Sequence, residues 1–95
     1  MSSASARLTL VNKRGLHARA SNKFMQCVMR YNAKVLVRSH NDVCAEQVEA
    51  DSVMELLLLG AACGEDISVD AEGLEAEDVV MALTKLVNSG FLEDE

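Results

Sequence analysis

Apolar and polar positions alternate with a period of two in four segments of the chain, which is the spacing of a half-buried β-strand. The predicted strands span residues 7–11, 34–38, 43–50 and 67–71. The pattern leaves the register of the third strand open. A polar turn at residues 39–42 separates the second and third strands and contains His40, which we expect to be a loop residue rather than a metal ligand.

Three further segments place apolar residues three and four positions apart, as on one face of a helix. The first follows His17, the second follows Ser52, and the third lies near the end of the chain. The apolar face of the first helix consists of Ala20, Phe24, Cys27, Val28 and Tyr31. The apolar face of the last helix consists of Ala76, Val79, Val80, Leu83, Leu86 and Val87. We interpret both faces as core.

The predicted order of elements is β-α-β-β-α-β-α. Because this order lacks a repeated βαβ rhythm, it favours an α+β fold with an antiparallel sheet covered by helices on one face. A chain of 95 residues has room for one domain. We expect that domain to span residues 6–95, after a disordered lead-in at residues 1–5.

The composition excludes several classes of function. Only 3% of the residues are aromatic, which argues against a nucleic-acid partner because such proteins stack bases on exposed rings. No apolar run approaches the ~20 residues of a membrane span, so we expect no membrane association. The first six residues lack the charged start and apolar stretch of a signal peptide.

The three cysteines, Cys27, Cys44 and Cys63, are odd in number and form no Cys-x-x-Cys pair. This spacing fits neither a disulfide framework nor a zinc site. We expect buried or half-buried thiols in a reducing cytoplasm, and we expect neither a metal ion nor a cofactor.

Charge is strongly segregated along the chain. Eight of the nine basic residues lie between Arg7 and Arg38, whereas all fifteen acidic residues lie at or after Asp42, and the net charge is −6. The early cations cluster around His17 in sequence. A positive field there would attract phosphate groups and acidic partner surfaces.

The candidate chemistry lies in residues 15–21, where a glycine turn follows a strand and leads into a helix. The first turn of a helix has backbone N–H groups without helical partners and the positive end of the macrodipole, so it binds anions. His17 is positioned there to accept a phosphoryl group, and the guanidinium of Arg19 offers donors for phosphate oxygens. The alternative interpretation is that His17 is only a helix cap.

Residues 12–19, with the sequence NKRGLHAR, resemble the active-site motif of the HPr family, the histidine phosphocarriers of the bacterial phosphoenolpyruvate-dependent phosphotransferase system. The resemblance extends to residues 49–54. Residues 88–95 are similar to the ending of the nitrogen-branch members called NPr. The family motif has proline directly after the arginine, whereas this chain has Ala20.

The resemblance implies an open-faced β-sandwich with four strands and three helices. It also implies that enzyme I phosphorylates His17 at Nδ1 and that the carrier passes the group to an EIIA-type protein. We expect a monomer that is a transfer intermediate rather than a turnover enzyme. The ending favours the nitrogen-linked regulatory branch. The alternative is a carrier for sugar uptake.

Ser52 precedes an apolar run, with Glu55 three positions later, which is the pattern of a helix capping box. Some members of the resembling family carry a regulatory serine here, which implies an HPr serine kinase/phosphorylase as a possible partner. The acidic neighbours of Ser52 would repel a phosphate group.

Three alternatives from other classes remain open. A non-catalytic regulatory module controlled through Ser52 would not require His17. A small ligand-binding regulatory module could share the same order of elements and would respond to a small molecule. A metal carrier of similar topology would need paired soft ligands, which this chain lacks.

Overall fold

An antiparallel sheet of four strands, covered by helices on one face, forms the framework of the protein. The computed structural model describes residues 2–40 and 47–92. The elements are β1 (Ser2–Thr9), α1 (Ala18–Met29), β2 (Lys34–Ser39), β3 (Val48–Glu49), α2 (Val53–Leu58), β4 (Asp66–Gly73) and α3 (Ala76–Asn88). The strand order is β1-β4-β2-β3, and each neighbouring pair is antiparallel. The predicted α+β class and the order of elements are therefore confirmed.

The core lies between the sheet and the helices. α3 packs across β1 and β4, while α1 packs against both α2 and α3. The alternation of the strands places one set of apolar side chains on the covered face, namely Leu8, Val35, Val37, Ile67, Val69 and Ala71. Phe24 and Phe91 are fully buried and are the largest side chains of the core, so an otherwise aliphatic interior is filled by two aromatic rings.

The first strand begins earlier than the sequence indicates. Residues 2–5, which we predicted to be a disordered lead-in, belong to β1, and Ser2 lies opposite Gly73 in the register of β4. β4 itself continues through Glu72 and Gly73, two residues beyond the predicted strand at residues 67–71. Each strand extends because the other supplies a partner for its backbone groups, although serine and alanine have weak strand preferences.

Side-chain hydrogen bonds join the end of β1 to the start of β4 on the uncovered face of the sheet. The carboxylate of Asp66 accepts a hydrogen bond from Thr9 Oγ1 at 2.6 Å and from Arg7 Nε at 2.8 Å. These bonds, that from Thr9 foremost, hold the pKa of Asp66 below its ordinary value. The bonds to the ionised carboxylate therefore favour the fold above that ordinary pKa, and this contribution is lost as the pH falls through the lowered value.

Part of the predicted third strand, including Cys44, lies outside the described residues. Of residues 43–50, the structure describes a short β3 at Val48–Glu49.

Cys27 is buried as predicted, whereas Cys63 is exposed, and both are free thiols. Burial raises the pKa of the Cys27 thiol, although Arg30 opposes this effect. Among the described helices, none is long and apolar enough to cross a bilayer.

Candidate functional site

A tight turn between β1 and α1 carries the candidate site. The amide of Gly15 donates to the carbonyl oxygen of Asn12 at 3.1 Å, and the side-chain amide of Asn12 donates back to the carbonyl oxygen of Gly15 at 2.7 Å. Gly15 has a φ of +62°, a conformation that favours glycine. Asn12 is only 2% exposed, so the turn is braced from inside the protein.

The loop that follows α2 supports this turn from the other side. The amide of Leu16 donates to the carbonyl oxygen of Ala61 at 3.0 Å, and the Leu16 side chain is buried. A Cβ atom at Gly15 would overlap the Ala61 carbonyl oxygen and would lie 2.7 Å from Ala62 Cα. Gly15 is therefore required both by its backbone conformation and by the close approach of a second chain segment.

His17 is the N-cap residue of α1. Its backbone is extended, with φ −76° and ψ −179°, and its ring nitrogen Nδ1 accepts a hydrogen bond from the amide of Arg19 at 3.2 Å. Because Nδ1 accepts this bond, the ring proton of this arrangement lies on Nε2. The lone pair of Nδ1 therefore faces the unpaired N–H groups of the first helical turn, where a negative charge is stabilised.

The start of α1 is fixed by two further bonds. The amide of Ser21 donates to the carbonyl oxygen of His17 at 2.8 Å, which is the first helical hydrogen bond, and Ser21 Oγ donates to the carbonyl oxygen of Leu16 at 3.2 Å. Ser21 is fully buried. These bonds fix the backbone of His17 and of the residue before it.

The cations near His17 have different environments. Arg19 is exposed and is the second residue of α1, next to the helix start. Lys23 is half-buried, and its ammonium group donates to the carbonyl oxygen of Phe91 at 2.6 Å. Lys23 therefore connects α1 to the turn that follows α3. This contact could not be predicted from local sequence patterns, because the two residues are distant in the chain.

Ala20 occupies the position at which the resembling motif has proline. It lies in the first turn of α1 and is fully buried. The first helical hydrogen bond begins at the next residue, Ser21. The alanine therefore leaves the cap and the first turn formed, without the fixed φ angle that a proline would supply.

Ser52 is the N-cap of α2, as the capping-box pattern predicted. Its hydroxyl oxygen accepts a hydrogen bond from the amide of Glu55 at 3.3 Å. Glu49, Asp51 and Glu55 each place one carboxylate oxygen within 4.8 Å of the others around this cap. A phosphate group on Ser52 would lose the cap bond and meet three negative charges. The hydrogen bond from the His17 turn to this region reaches Ala61, which follows the C-terminal end of α2 rather than this cap.

Replacing Ser52 by alanine should lower the free energy of unfolding by about 1 kcal/mol, since an N-cap hydroxyl contributes about that much. Urea denaturation followed by circular dichroism measures the change. Ser5→Ala, at an exposed position in β1, is the matched control and should shift the midpoint less. Equal effects of the two substitutions would contradict the capping role.

The exposed apolar surface of α2 was not predicted from the sequence. Met54 and Leu58 on α2 are each 75% exposed, and Leu57 is partly exposed beside them. The run of four leucines at residues 56–59 could have indicated this surface. Four consecutive residues point in different directions around a helix, so one buried face cannot accommodate all four side chains. Leu56 and Leu59 turn inward, and the other two remain on the surface.

Comparison with known proteins gives consistent results. The family model described as "PTS HPr component phosphorylation site" matches residues 4–89. Phosphocarrier protein NPr of Escherichia coli strain K12 is 42% identical over 85 residues, which cover 90% of this chain and 91% of that protein. Phosphocarrier protein HPr of Neisseria meningitidis serogroup A is 38% identical over 88 residues, covering 93% and 94%. The crystal structure of HPr from Thermoanaerobacter tengcongensis superimposes with a TM-score of 0.87 at 30% identity, covering 97% of this chain and 99% of that one.

Proposed function

The chain belongs to the HPr family of phosphocarriers of the phosphotransferase system, and from this premise we propose that His17 is its phosphoryl acceptor. In this proposal phospho-enzyme I donates the group to Nδ1 of His17, and an EIIA-type protein receives it. The observation that carries the proposal is the orientation of the imidazole, whose Nδ1 faces the amide of Arg19 at the N-terminus of α1.

Apart from the acceptor nitrogen, phosphoryl transfer requires the protein to position the reacting groups and to stabilise their charge. The Nδ1 lone pair attacks the phosphorus of the donor, and the bond from phosphorus to the donor nitrogen breaks. The ring keeps its proton on Nε2 during this step. The phosphoryl oxygens would then replace Nδ1 as the acceptor of the Arg19 N–H, so that the helix N-terminus stabilises the product.

Arg19 is proposed to stabilise the charge of the phosphoryl group in both directions of transfer. Its exposed side chain can approach the oxygens from solvent, and a guanidinium offers two parallel N–H donors to a phosphate. His17 itself is only partly buried. Partial exposure suits a carrier, because the group must be released to the next protein as readily as it was accepted.

Arg19→Ala should slow phosphoryl transfer about 10- to 100-fold, since a hydrogen bond to a charged group contributes about 1.5–3 kcal/mol. The rate is measured by quenched-flow transfer from phospho-enzyme I. The fold should be unaffected, because the Arg19 side chain is exposed. Arg38→Ala removes an equally exposed cation from β2 and should leave the rate unchanged. A rate loss matched by an equal loss of stability would assign Arg19 a structural role instead.

The surface for the partner proteins is proposed to combine the cations around His17 with the exposed apolar residues of α2. α2 packs against α1, and Met54, Leu57 and Leu58 present apolar area to solvent there. Interfaces typically join such an apolar centre to a charged rim. The charge of the rim would guide an acidic partner surface towards His17 and raise the association rate.

We further propose that the carrier works in the nitrogen-linked branch, in the cytoplasm, where Cys27 and Cys63 remain free thiols. Identity to the E. coli NPr, somewhat higher than to the meningococcal HPr, supports this choice. The test compares phosphorylation of the protein by the enzyme I of each branch at equal concentration. Faster transfer from the nitrogen-branch enzyme is expected. Faster transfer from the sugar-branch enzyme would assign the protein to sugar uptake.

A further inference from the structure

A groove between α1 and α3 is separate from the phosphorylation site. Its volume is about 550 Å³, within the range of small-molecule sites in proteins. Three cations line it: Lys23 and Arg30 from α1 and its C-cap, and Lys85 from the last turn of α3. No described residue that lines it is acidic. In a chain with fifteen acidic and nine basic residues, such a concentration of positive charge is unusual.

These cations are available to a ligand to different degrees. Lys23 already donates to the carbonyl oxygen of Phe91. Neither Arg30 nor Lys85 has an ion-pair partner within residues 2–40 and 47–92. Because both belong to the same groove, their fields add at its centre, where an anion would be stabilised.

The walls of the groove are apolar. Tyr31, Leu86 and Leu92 line it together with the edge of the buried Cys27. Leu92 is 74% exposed and is held at this edge by a left-handed backbone turn in which Phe91 and Leu92 have φ angles of 59° and 58°. That conformation is strained for residues with a Cβ atom. It is stabilised by burial of the Phe91 ring and by a bond from the amide of Leu92 to Ser89 Oγ at 3.3 Å.

We propose that this groove binds a small aromatic phosphate, with the planar apolar part against Tyr31, Leu86 and Leu92 and the phosphate between Arg30 and Lys85. A nucleoside monophosphate has this combination of groups and a size that suits the cavity. The cations supply charge-assisted hydrogen bonds to the phosphate oxygens, and the apolar walls supply contact area for the ring. The ligand touches neither His17 nor Arg19, so the groove is a second site.

Titration of nitrogen-labelled protein with AMP, followed by proton–nitrogen correlation spectra, tests the proposal. Saturable shifts are expected at the amides of Gln26, Arg30 and Lys85. Adenosine, which lacks the phosphate, and inorganic phosphate, which lacks the ring, should each bind at least about tenfold more weakly. Equal affinity of either fragment, or shifts confined to the turn around His17, would overturn the proposal.

Substitutions in the groove give an independent readout. Arg30→Gln and Lys85→Gln should each weaken AMP binding about tenfold. Lys34→Gln and Arg38→Gln, which remove exposed cations from β2, should not. If the control substitutions weaken AMP binding equally, the loss of affinity follows from net charge alone, and the proposal is contradicted. His17→Asn should retain AMP binding, so the result does not depend on the outcome for phosphoryl transfer.

The acidic residues Glu93, Asp94 and Glu95 follow Leu92 in sequence, and a further variant tests whether their carboxylates compete with the ligand. Replacing all three by glutamine should leave the groove amides unshifted and AMP affinity the same or slightly higher. Large shifts at Gln26, Arg30 and Lys85 without added ligand would mean that the chain's own acidic end occupies the groove, and they would overturn the proposal.

Discussion

Replacing Gly15 by alanine is expected to destabilise the protein by about 2–5 kcal/mol. A left-handed conformation costs a residue with a Cβ atom about 1–2 kcal/mol, and overpacking adds about 1–3 kcal/mol. The new methyl group would overlap the carbonyl oxygen of Ala61, which is backbone and cannot move aside as a side chain would. Urea denaturation measures the change in the free energy of unfolding.

Gly64→Ala is the matched control for this substitution. Gly64 also has a positive φ, +88°, but a Cβ atom there would meet nothing within 4 Å. It should therefore cost only the conformational part, about 1–2 kcal/mol. If the two alanine variants are equally destabilised, the close approach between the Gly15 turn and the loop after α2 is not a constraint on the fold, and our account of the turn is wrong.

His17→Asn is expected to abolish phosphoryl acceptance while the protein remains folded. Asparagine is among the preferred N-cap residues, and its side-chain oxygen can accept the amide of Arg19 as Nδ1 does in the native protein. It has no nucleophilic nitrogen, since the amide lone pair is delocalised. Transfer from phospho-enzyme I should fall below detection, whereas the melting temperature should change by only a few degrees.

The choice of asparagine separates two roles of His17. If the residue were only a helix cap, His17→Asn would leave every property of the protein unchanged, transfer included. His17→Ala removes the cap as well and should cost about 1 kcal/mol of stability in addition to transfer. A detectable phosphoryl group on the asparagine variant would place the acceptor elsewhere in the chain.

The sequence predicted the fold well where burial and periodicity agree. The covered faces of β2 and β4 carry valine, isoleucine and alanine at every second position, and α3 repeats its apolar residues over three turns. The extent of β1 was not predictable, because residues 2–5 are serine and alanine with no strand pattern of their own. They form a strand because β4 offers eight residues of partner backbone, which is a property of the tertiary structure.

The arrangement of the candidate site was predictable from the sequence, whereas the contacts that support it were not. Gly15, His17 and Arg19 are neighbours in sequence, so their arrangement at a helix start follows from local rules of turns and caps. The contacts that hold them come from distant residues. Ala61 reaches the turn from the loop after α2, and Lys23 reaches the carbonyl oxygen of Phe91 from α1. Local patterns carry no information on such pairs.

Phosphorylation of His17 is tested most directly by the intact mass of the protein after incubation with enzyme I, Mg²⁺ and phosphoenolpyruvate. We expect one phosphoryl group per chain, labile in acid, with the phosphorus NMR signal of a phosphohistidine substituted at Nδ1, and none on His17→Asn. An unmodified mass, with enzyme I shown to phosphorylate a known carrier under the same conditions, would contradict it and leave His17 as a helix cap.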